Sequence, residues 1–407
     1  MANLDAMQFC VPSTDAEVNP LSEVFAAAYA LPVAEARAWL DRAGVENVRM
    51  LVAGGEPAAG LIVVPMGQWF GGRSVPMTGI QGVAVAPHHR GRGTALRLMV
   101  ETLRELQQNG VALSTLYPAT QRLYRRAGYE QAGSRFEARL ALKDIQLNER
   151  SFDIRPIGPA DEETVRDLYR RRAARSCGLI DRNDYLWRRV RETRDGKALG
   201  FRLSRNGTPG GYVYYVEKTL PNGHYDLLIS DWSADGAMDD AANGADFSCA
   251  EVVRGLLTLL ADHRSIGSDA VWYTGPTDPM QFAMAEQHYR LKLHFHWMLR
   301  IVTLPAALSA RGYPSGIAGE LHVDVRDEIL PENQGRWTLA VREGRGVVSP
   351  GGGGRLRTDI GALAALYSGF MSASQLAALG RIEADASSIA RADALFAGPA
   401  PGMADMF

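Results

Sequence analysis

The stretch that most constrains this chain of 407 residues is GVAVAPHHRGRGTALRLM, residues 82 to 99. An apolar strand over residues 83 to 85 ends at Pro87, and a turn of alternating arginine and glycine opens the helix that follows. After the turn, apolar residues recur at helical spacing: Leu96, Val100, Leu103 and Leu106. The chain is therefore expected to place a tight glycine-rich turn between a sheet strand and a helix.

The first turn of that helix favours an anion, because its leading amides lack intrahelical partners and the helix dipole is positive there. Glycines at positions 91 and 93 let the backbone come close to the anion, and the flanking arginines add positive charge. A pyrophosphate group is the natural ligand of such a turn. The alternative is a plain strand-to-helix connection with surface arginines.

A second informative stretch, STLYPATQRLYRRAGYE, covers residues 114 to 130. Its apolar start predicts a buried strand over residues 111 to 117, and a short helix follows near Leu123. Tyr124 lies in that helix, and Tyr129 follows the glycine after it. From the residues alone, Tyr124 is either a functional phenol or the edge of an apolar core, and Tyr129 is a strand aromatic.

Together, these stretches resemble the motifs of the GCN5-related N-acetyltransferase (GNAT) superfamily. Residues 82 to 99 are similar to its motif A, and L-Y-x-x-x-G-Y at residues 123 to 129 is similar to its motif B. The resemblance implies acetyl-CoA as co-substrate, with its pyrophosphate on the amides after the turn and its pantetheine arm along the strand edge. The residues placed at acetyl-CoA in this way are Val83, Ala84, Val85, Arg90, Gly91, Arg92, Gly93, Thr94 and Ala95.

The resemblance also implies a general acid, because Tyr124 matches the tyrosine that protonates the departing CoA thiolate in the family. A phenol with a pKa near about 10 can pass a proton to a thiolate whose conjugate acid has a pKa near about 8.5. We therefore expect direct transfer in a ternary complex, with the Val85 amide polarising the thioester carbonyl. Tyr129 is expected to be structural.

Four stretches narrow the resemblance to the Eis family: GVAVAPHHRGRG, LYRRAGY, PAALSARGY at residues 305 to 313, and the chain end FAGPAPGMADMF. The implied fold is α+β, with a catalytic GNAT domain over residues 1–148 and a degenerate GNAT-like domain over 149–300. A sterol-carrier-protein-like domain covers residues 301–407. The second segment lacks the glycine-rich turn, which agrees with this arrangement. Family proteins are hexamers that acetylate aminoglycosides and some lysine side chains.

The family's proposed base is its terminal carboxylate, which is carried over here to the α-carboxylate of Phe407. Its reference pKa of about 3.5 makes it a poor base in water, and desolvation would raise that pKa. The alternative is a frayed tail, as most termini are. The family's archetype has an acidic residue immediately before its terminal phenylalanine, whereas this chain has Met406, with Asp405 adjacent.

Aminoglycosides are polycations, so their site needs carboxylates and benefits from a stacking surface. The helices expected over residues 21 to 30 and 33 to 40 offer Glu23 as an acidic contact and Trp39 as a stacking residue. Aminoglycoside acetylation is the leading hypothesis for the acceptor. The competing acceptors are a protein lysine, a peptide or a natural-product amine, and a hypothesis of another class is a non-catalytic lipid-binding scaffold.

Composition excludes several other classes. The 44 basic and 46 acidic residues give a net charge of -2, so nothing favours nucleic acid or an anionic membrane as a partner. Three widely spaced cysteines favour neither a disulfide framework nor a zinc site, and a reducing compartment fits. His294 and His296 alternate but lack nearby carboxylate or thiolate ligands, so no metal is expected. The first residues do not resemble a secretory signal, and the chain is expected to be cytoplasmic.

Overall fold

The computed structural model describes residues 7 to 236 and 246 to 407. Helices up to residue 148 are α1 (Asp15–Tyr29), α2 (Val33–Ala43), α3 (Thr94–Gln108) and α4 (Gln121–Arg126). The strands there are β1 (Gln8–Cys10), β2 (Val48–Ala53), β3 (Glu56–Phe70), β4 (Arg73–Val85), β5 (Leu113–Leu116) and β6 (Glu130–Ala141).

From residue 149 to 301, the helices are α5 (Glu162–Ala174), α6 (Asp184–Arg191), α7 (Cys249–Ala261) and α8 (Pro279–Phe282). The longer strands are β7 (Asp153–Pro156), β11 (Leu199–Arg205), β12 (Thr208–Thr219), β13 (Tyr225–Ala234), β14 (Gly267–Thr274) and β15 (Arg290–Ile301), and the short ones are β8 (Ile180–Asp181), β9 (Glu192–Thr193) and β10 (Gly196–Lys197).

The last part of the chain contains α9 (Leu304–Ala310), α10 (Ile360–Ser368), α11 (Ala373–Ala378) and α12 (Ala386–Leu395). Its strands are β16 (Gly319–Arg326), β17 (Gly335–Arg342), β18 (Arg345–Pro350), β19 (Leu356–Asp359) and β20 (Ile382–Ala384). They form a five-stranded sheet in the order β18-β17-β16-β19-β20.

The N-terminal helix begins earlier than the sequence pattern indicates. A helix was expected from residue 21, whereas α1 begins at Asp15 and includes Pro20. The Glu17 carboxylate accepts hydrogen bonds from the backbone amides of Ser13 at 2.7 Å and Thr14 at 3.1 Å. This capping box satisfies amides that would otherwise lack partners. The helix continues through Pro20, which has no amide hydrogen to donate.

A single 13-stranded sheet runs through the first two parts of the chain, in the order β1-β2-β3-β4-β5-β15-β6-β14-β13-β12-β11-β7, with β8 beside β3. Strand β15 pairs antiparallel with both β5 and β6, and thus lies inside the sheet of the first part. The long strand β6 lies between β15 and β14, and its other edge pairs with β14 of the second part. The two halves therefore exchange strands, and a division at residue 148 separates β15 from the strands it pairs with.

The third part packs on the same sheet through α10. All nine residues of α10 are buried, and the helix contacts β6 and β15. The rings of Tyr367 and Phe70 meet edge-on with centroids 5.1 Å apart. The apolar residues of α10 are therefore used in packing within this chain.

Candidate active site

Strands β4 and β5 lie side by side for only a short distance and then diverge. Their parallel pairing covers Met77–Leu113, Thr78–Ser114 and Gly79–Thr115, and β4 then continues to Val85 without β5 beside it. A bulge accompanies the divergence, because Gly82 and Val83 together face Leu61 of β3. A bulge adds local twist, which turns the end of β4 away from β5. The second half of β4 therefore has an open edge.

Backbone polar groups on this edge are available to a ligand. The Ala86 amide donates a hydrogen bond to the carbonyl of Ala58 in β3. Amides of successive strand residues point to opposite edges, so the Val85 amide points towards the open edge. Two side chains reach the same edge. The Tyr29 hydroxyl donates to the Val83 carbonyl at 3.3 Å, and Arg90 Nε donates to the Val85 carbonyl at 3.2 Å.

The open edge leads directly into the basic turn and α3. A 3-10 turn, Pro87–His89, is followed by Gly91 with φ 71° and by Gly93 with φ 85°, which precedes the helix. These left-handed conformations favour glycine. The first turn of α3 contains no acidic residue, and Arg90 and Arg92 are both exposed beside it. An anion placed here meets unpaired amides and positive charge.

Tyr124 lies on α4 in the apolar cluster that also contains Leu98 and Met298. Its side chain is buried, and its ring meets that of Tyr129 with centroids 6.2 Å apart. Burial and, to a smaller extent, the nearby Tyr29 phenol raise the pKa of Tyr124 to about 12. Tyr129 is also buried, and its hydroxyl hydrogen-bonds the Ser114 hydroxyl at 2.8 Å.

Phe407 lies where β4 and β5 begin to diverge. Its residue is 8% exposed, and a Cβ added to Gly79 would lie 2.6 Å from Cε2 of the Phe407 ring. The ring also lies near that of Tyr117, with centroids 6.0 Å apart. Glycine at position 79 therefore leaves room for the Phe407 ring to rest on the sheet.

Contacts over several residues hold the tail that carries Phe407. The Tyr117 hydroxyl donates to the Asp405 carbonyl at 2.8 Å, and the Arg135 Nε donates to the Ala404 carbonyl at 3.0 Å. Upstream, Ser134 of β6 forms a parallel bridge to Gly402. Met406, in contrast to these held residues of the tail, is 41% exposed to solvent.

Trp39 and Glu23, the residues expected to contact the acceptor, lie in different surroundings. The Trp39 ring packs edge-on to Tyr29 and Phe25, and it lies over Gly82 in the bulge of β4. Glu23 is exposed on α1, about 160° around the helix from Phe25, which packs on the sheet. The structure thus brings Trp39 to the open edge and leaves Glu23 on the solvent side of α1.

A cavity of ≈ 380 Å³ adjoins the tail. Its wall includes the side chains of Met66, Asp181 and Arg182. Met66 and the Phe407 ring both lie against Gly79. The Asp181 carboxylate accepts a hydrogen bond from Ser74 at 2.6 Å, and among the described residues it forms no ion pair. Asp181 therefore places a carboxylate in the wall of this cavity.

Within residues 7 to 236 and 246 to 407, no group of three or more histidine, cysteine, aspartate or glutamate side chains is placed to hold a metal ion. His294 Nδ1 lies 2.7 Å from Arg135, and His296 Nδ1 lies 3.1 Å from the Ser134 hydroxyl. Both histidines have polar side-chain partners from β6. Among the helices of the same ranges, none is both long and apolar enough to cross a membrane.

Comparison with known proteins agrees with this geometry. Residues 11–132 and 178–301 each match an acetyltransferase (GNAT) domain family, and residues 304–404 match a sterol carrier protein domain family. N-acetyltransferase Eis of Mycobacterium tuberculosis is 28% identical over 346 residues, which is 80% of this chain and 79% of that protein. A GCN5-related N-acetyltransferase from Anabaena variabilis is 32% identical, with a TM-score of 0.90 over 98% of this chain and 100% of that one. The chain belongs to the Eis family of GCN5-related N-acetyltransferases.

A second solved structure is similar over the whole length of the chain. A GCN5-related N-acetyltransferase from Kribbella flavida is 29% identical, with a TM-score of 0.84 over 98% of each chain. The predicted α+β fold with two tandem GNAT-like domains and a sterol-carrier-like domain is confirmed, and so is the prediction of an acyltransferase. The non-catalytic scaffold hypothesis has no support from this comparison.

Sequence reasoning missed three residues of this Eis-family site. Tyr29 contacts the open edge, Tyr117 holds the tail, and Asp181 lies beside the cavity. A signal existed for Tyr29, because it lies four residues after Phe25 and thus on the same face of α1. No local pattern points to Asp181, which reaches the site only through the pairing of β8 with β3.

Proposed function

We propose that this enzyme transfers the acetyl group of acetyl-CoA to a primary amine of an aminoglycoside, by direct attack within a ternary complex. One juxtaposition carries the proposal: the Phe407 ring lies on Gly79, where the open edge of β4 begins. That edge ends in the basic turn at α3. An acyl donor held along the edge would thus present its thioester beside the last residue of the chain.

The open edge and the turn suit the two chemical parts of acetyl-CoA. Amides of the pantetheine arm would pair with the backbone of Val83 and Val85, as a strand would. The pyrophosphate would meet the first amides of α3 and the charges of Arg90 and Arg92. Arg90 would give up its contact with the Val85 carbonyl to reach the phosphate oxygens. The Val85 amide would donate to the thioester carbonyl oxygen and stabilise the charge that develops there.

Phe407 and Tyr124 would handle the protons. The α-carboxylate of Phe407 would accept a proton from the acceptor ammonium. Tyr124 would then donate its phenolic proton to the departing thiolate. The two roles need different sides of the thioester, which agrees with Phe407 at the start of the open edge and Tyr124 on α4.

Trp39, Asp181 and, at greater distance, Glu23 are the candidates for acceptor binding. Trp39 offers a flat apolar surface at the bulge of β4, and Asp181 offers a carboxylate beside the cavity. A polycation needs several such carboxylates. The surroundings of Phe407 are otherwise apolar and aromatic, including Met66, Tyr117 and, edge-on to Tyr117, Phe295.

That apolar character favours a second candidate acceptor: a peptide, a protein lysine or a natural-product amine with a single charge and an apolar body. Thiol release from acetyl-CoA, measured with kanamycin and with lysine peptides in parallel, distinguishes the two. A higher kcat/KM for the peptides would replace the aminoglycoside by the second candidate.

The test of the proposed chemistry is acetyl-CoA turnover with a panel of aminoglycosides, using protein with a native C-terminus. A variant lacking Phe407, in which the terminal carboxylate moves back to Met406, is compared with the substitution Met406→Leu, which leaves Phe407 and its carboxylate in place. We expect deletion to lower kcat by about 100-fold or more, as for loss of a general base, and Met406→Leu to have little effect. Turnover that survives the deletion would contradict the role of Phe407. No turnover with any amine would contradict the proposed activity itself.

We also propose that the enzyme is a cytoplasmic hexamer. The oligomeric state rests on the family resemblance, and the location is supported by Cys10, Cys177 and Cys249, which are all free thiols in the structure. Sedimentation equilibrium of the purified protein tests the hexamer.

A further inference from the structure

The second GNAT-like half keeps the strand geometry that opens the site in the first half. Strands β13 and β14 pair in parallel only as far as Leu228 and Val271, and β13 then continues to Ala234. A bulge again accompanies the divergence, because Ser230 is an extra residue in the register of β13 with β12. The second half therefore has its own open edge, directly after the bulge.

The helix after that edge no longer offers an anion site. Ser248 and Glu251 form a capping box at the start of α7, in which the Glu251 carboxylate accepts from the Ser248 amide at 2.8 Å. Backbone hydrogen bonding to Ser248 is the largest cause that lowers the pKa of Glu251, to about 2. A fixed negative charge thus occupies the position where α3 has no acidic residue in its first turn.

A buried arginine lies at the open edge of β13 instead. Arg182 donates through both terminal nitrogens to Asp231, the residue after the bulge, with Nη2 at 3.0 Å. Its Nε donates to the Asp405 carboxylate of the C-terminal tail at 2.9 Å. The side chains of Arg182, Asp231 and Asp405 are 1%, 2% and 9% exposed.

The surroundings hold this arginine in one orientation. Its guanidinium lies over the Tyr169 ring at 3.9 Å from the centroid and near the Trp187 ring at 4.8 Å. The Tyr212 hydroxyl donates to Asp231 at 2.6 Å. A planar guanidinium with its donors shared between two carboxylates fixes both direction and distance.

We infer that the open edge of the second half acts as a clamp for the C-terminal tail, with Arg182 as the positioning residue that holds Asp405. Asp405 is two residues from Phe407, and one extended residue covers only about 3.4 Å. Fixing Asp405 therefore limits where the terminal carboxylate can lie in the site of the first half. This inference rests on the proposed role of Phe407 as base, and it assigns to the degenerate half a part in catalysis.

The test uses Asp405→Asn, which removes the charge on the tail but keeps the Arg182–Asp231 pair intact. Substitution of Arg182 is less informative, because it leaves Asp231 buried without its main cation. The first measurement is the rate at which a carboxypeptidase releases Phe407 from the folded protein. Peptides of residues 398 to 407 with Asp and with Asn correct for the preference of the protease.

We expect corrected release to be about 10- to 100-fold faster in Asp405→Asn, because a charged hydrogen bond that holds the tail is lost. We also expect kcat to fall while KM for acetyl-CoA stays unchanged. In a chain lacking Phe407, Asp405→Asn should have no further effect on kcat. Glu383→Gln, which removes an exposed ion pair with Arg357 in the same domain, is the matched control and should change neither rate.

Unchanged corrected release in Asp405→Asn would overturn the clamp. Faster release together with wild-type kcat would overturn the positioning role. The proposed function fails separately, through wild-type turnover that does not depend on Phe407 or through absence of turnover. Faster release in that case would still support the clamp.

Discussion

Tyr124 illustrates how burial both supports and limits a catalytic side chain. A phenol with a pKa of about 12 is a weak donor to a thiolate whose conjugate acid has a pKa of about 8.5 in water. The difference of about 3.5 units corresponds to about 5 kcal/mol. A thiolate in the same apolar site also has a raised pKa, because burial disfavours its charge as well. The raised pKa of the buried thiol therefore offsets part of this difference, and the proton transfer stays feasible.

We predict that Tyr124→Phe lowers kcat by about 100-fold and leaves the Kd of acetyl-CoA unchanged, because the hydroxyl contributes to leaving-group protonation and not to binding. Single-turnover kinetics and calorimetric titration measure the two quantities. Tyr129→Phe is the matched control: it removes a buried hydroxyl that bonds Ser114, and should affect stability more than kcat. Unchanged turnover in Tyr124→Phe would remove this residue from the mechanism.

The pH profile provides an independent check on the same residue. An acid acts while it is protonated, and Tyr124 is protonated below its folded pKa of about 12. The wild-type kcat should therefore show no loss from Tyr124 ionisation between about pH 7 and pH 10. An alkaline decline in that range that disappears in Tyr124→Phe would contradict the raised pKa.

At the scale of elements, the two GNAT-like halves differ at the N-terminus of the helix that follows the open edge. Helix α3 begins after Gly93 with no acidic residue in its first turn, whereas α7 begins with the Ser248–Glu251 capping box. The same strand–bulge–helix order thus leads to an open anion site in one half and a satisfied terminus in the other. The difference lies at the residue before each helix and in its first turn: Gly93 with φ 85° precedes α3, whereas Ser248 with φ -90° caps α7 together with Glu251.

The role of charge at the start of α3 can be tested by giving its first turn an acidic residue, as α7 has in Glu251. We predict that Ala95→Glu raises the Kd of acetyl-CoA by about 10-fold or more, because a carboxylate in the first turn repels the pyrophosphate and takes its place at the positive end of the helix dipole. Ala95→Gln has nearly the same shape without the charge and should bind acetyl-CoA much as the wild type does. Equal loss of binding in both variants would indicate a steric effect and contradict the electrostatic explanation.

The whole molecule is held together by elements that cross between its parts. Strand β15 fills the position between β5 and β6, α10 packs on β6 and β15, and the C-terminal tail runs along β6 to Gly79. Without β15, α10 or the tail, the part of the molecule that each of them packs against would lack a contact that it has in the complete chain. The catalytic site depends on all three parts, because the base that we propose comes from the third and its anchor from the second.

We therefore predict that a fragment of residues 1 to 148 does not unfold cooperatively by itself. Without β15, the edges of β5 and β6 would expose apolar side chains and unpaired backbone groups. Thermal unfolding followed by circular dichroism measures this, and co-expression with residues 149 to 407 is the control, expected to restore a cooperative transition. A sharp transition for the fragment alone would show that the first part folds independently of β15.

What the sequence by itself determined is local. The strand, basic turn and helix of residues 82 to 99 are contiguous, so propensity, glycine and apolar spacing were sufficient to predict them, and the family resemblance then supplied Tyr124 and Phe407 as candidates. Only the tertiary structure placed β15 inside the first sheet, Asp181 beside the cavity and Asp405 against Arg182. The last pair is separated by 223 positions. Contacts of that kind depend on how sheets and the tail meet in space, and no periodicity within one segment encodes them.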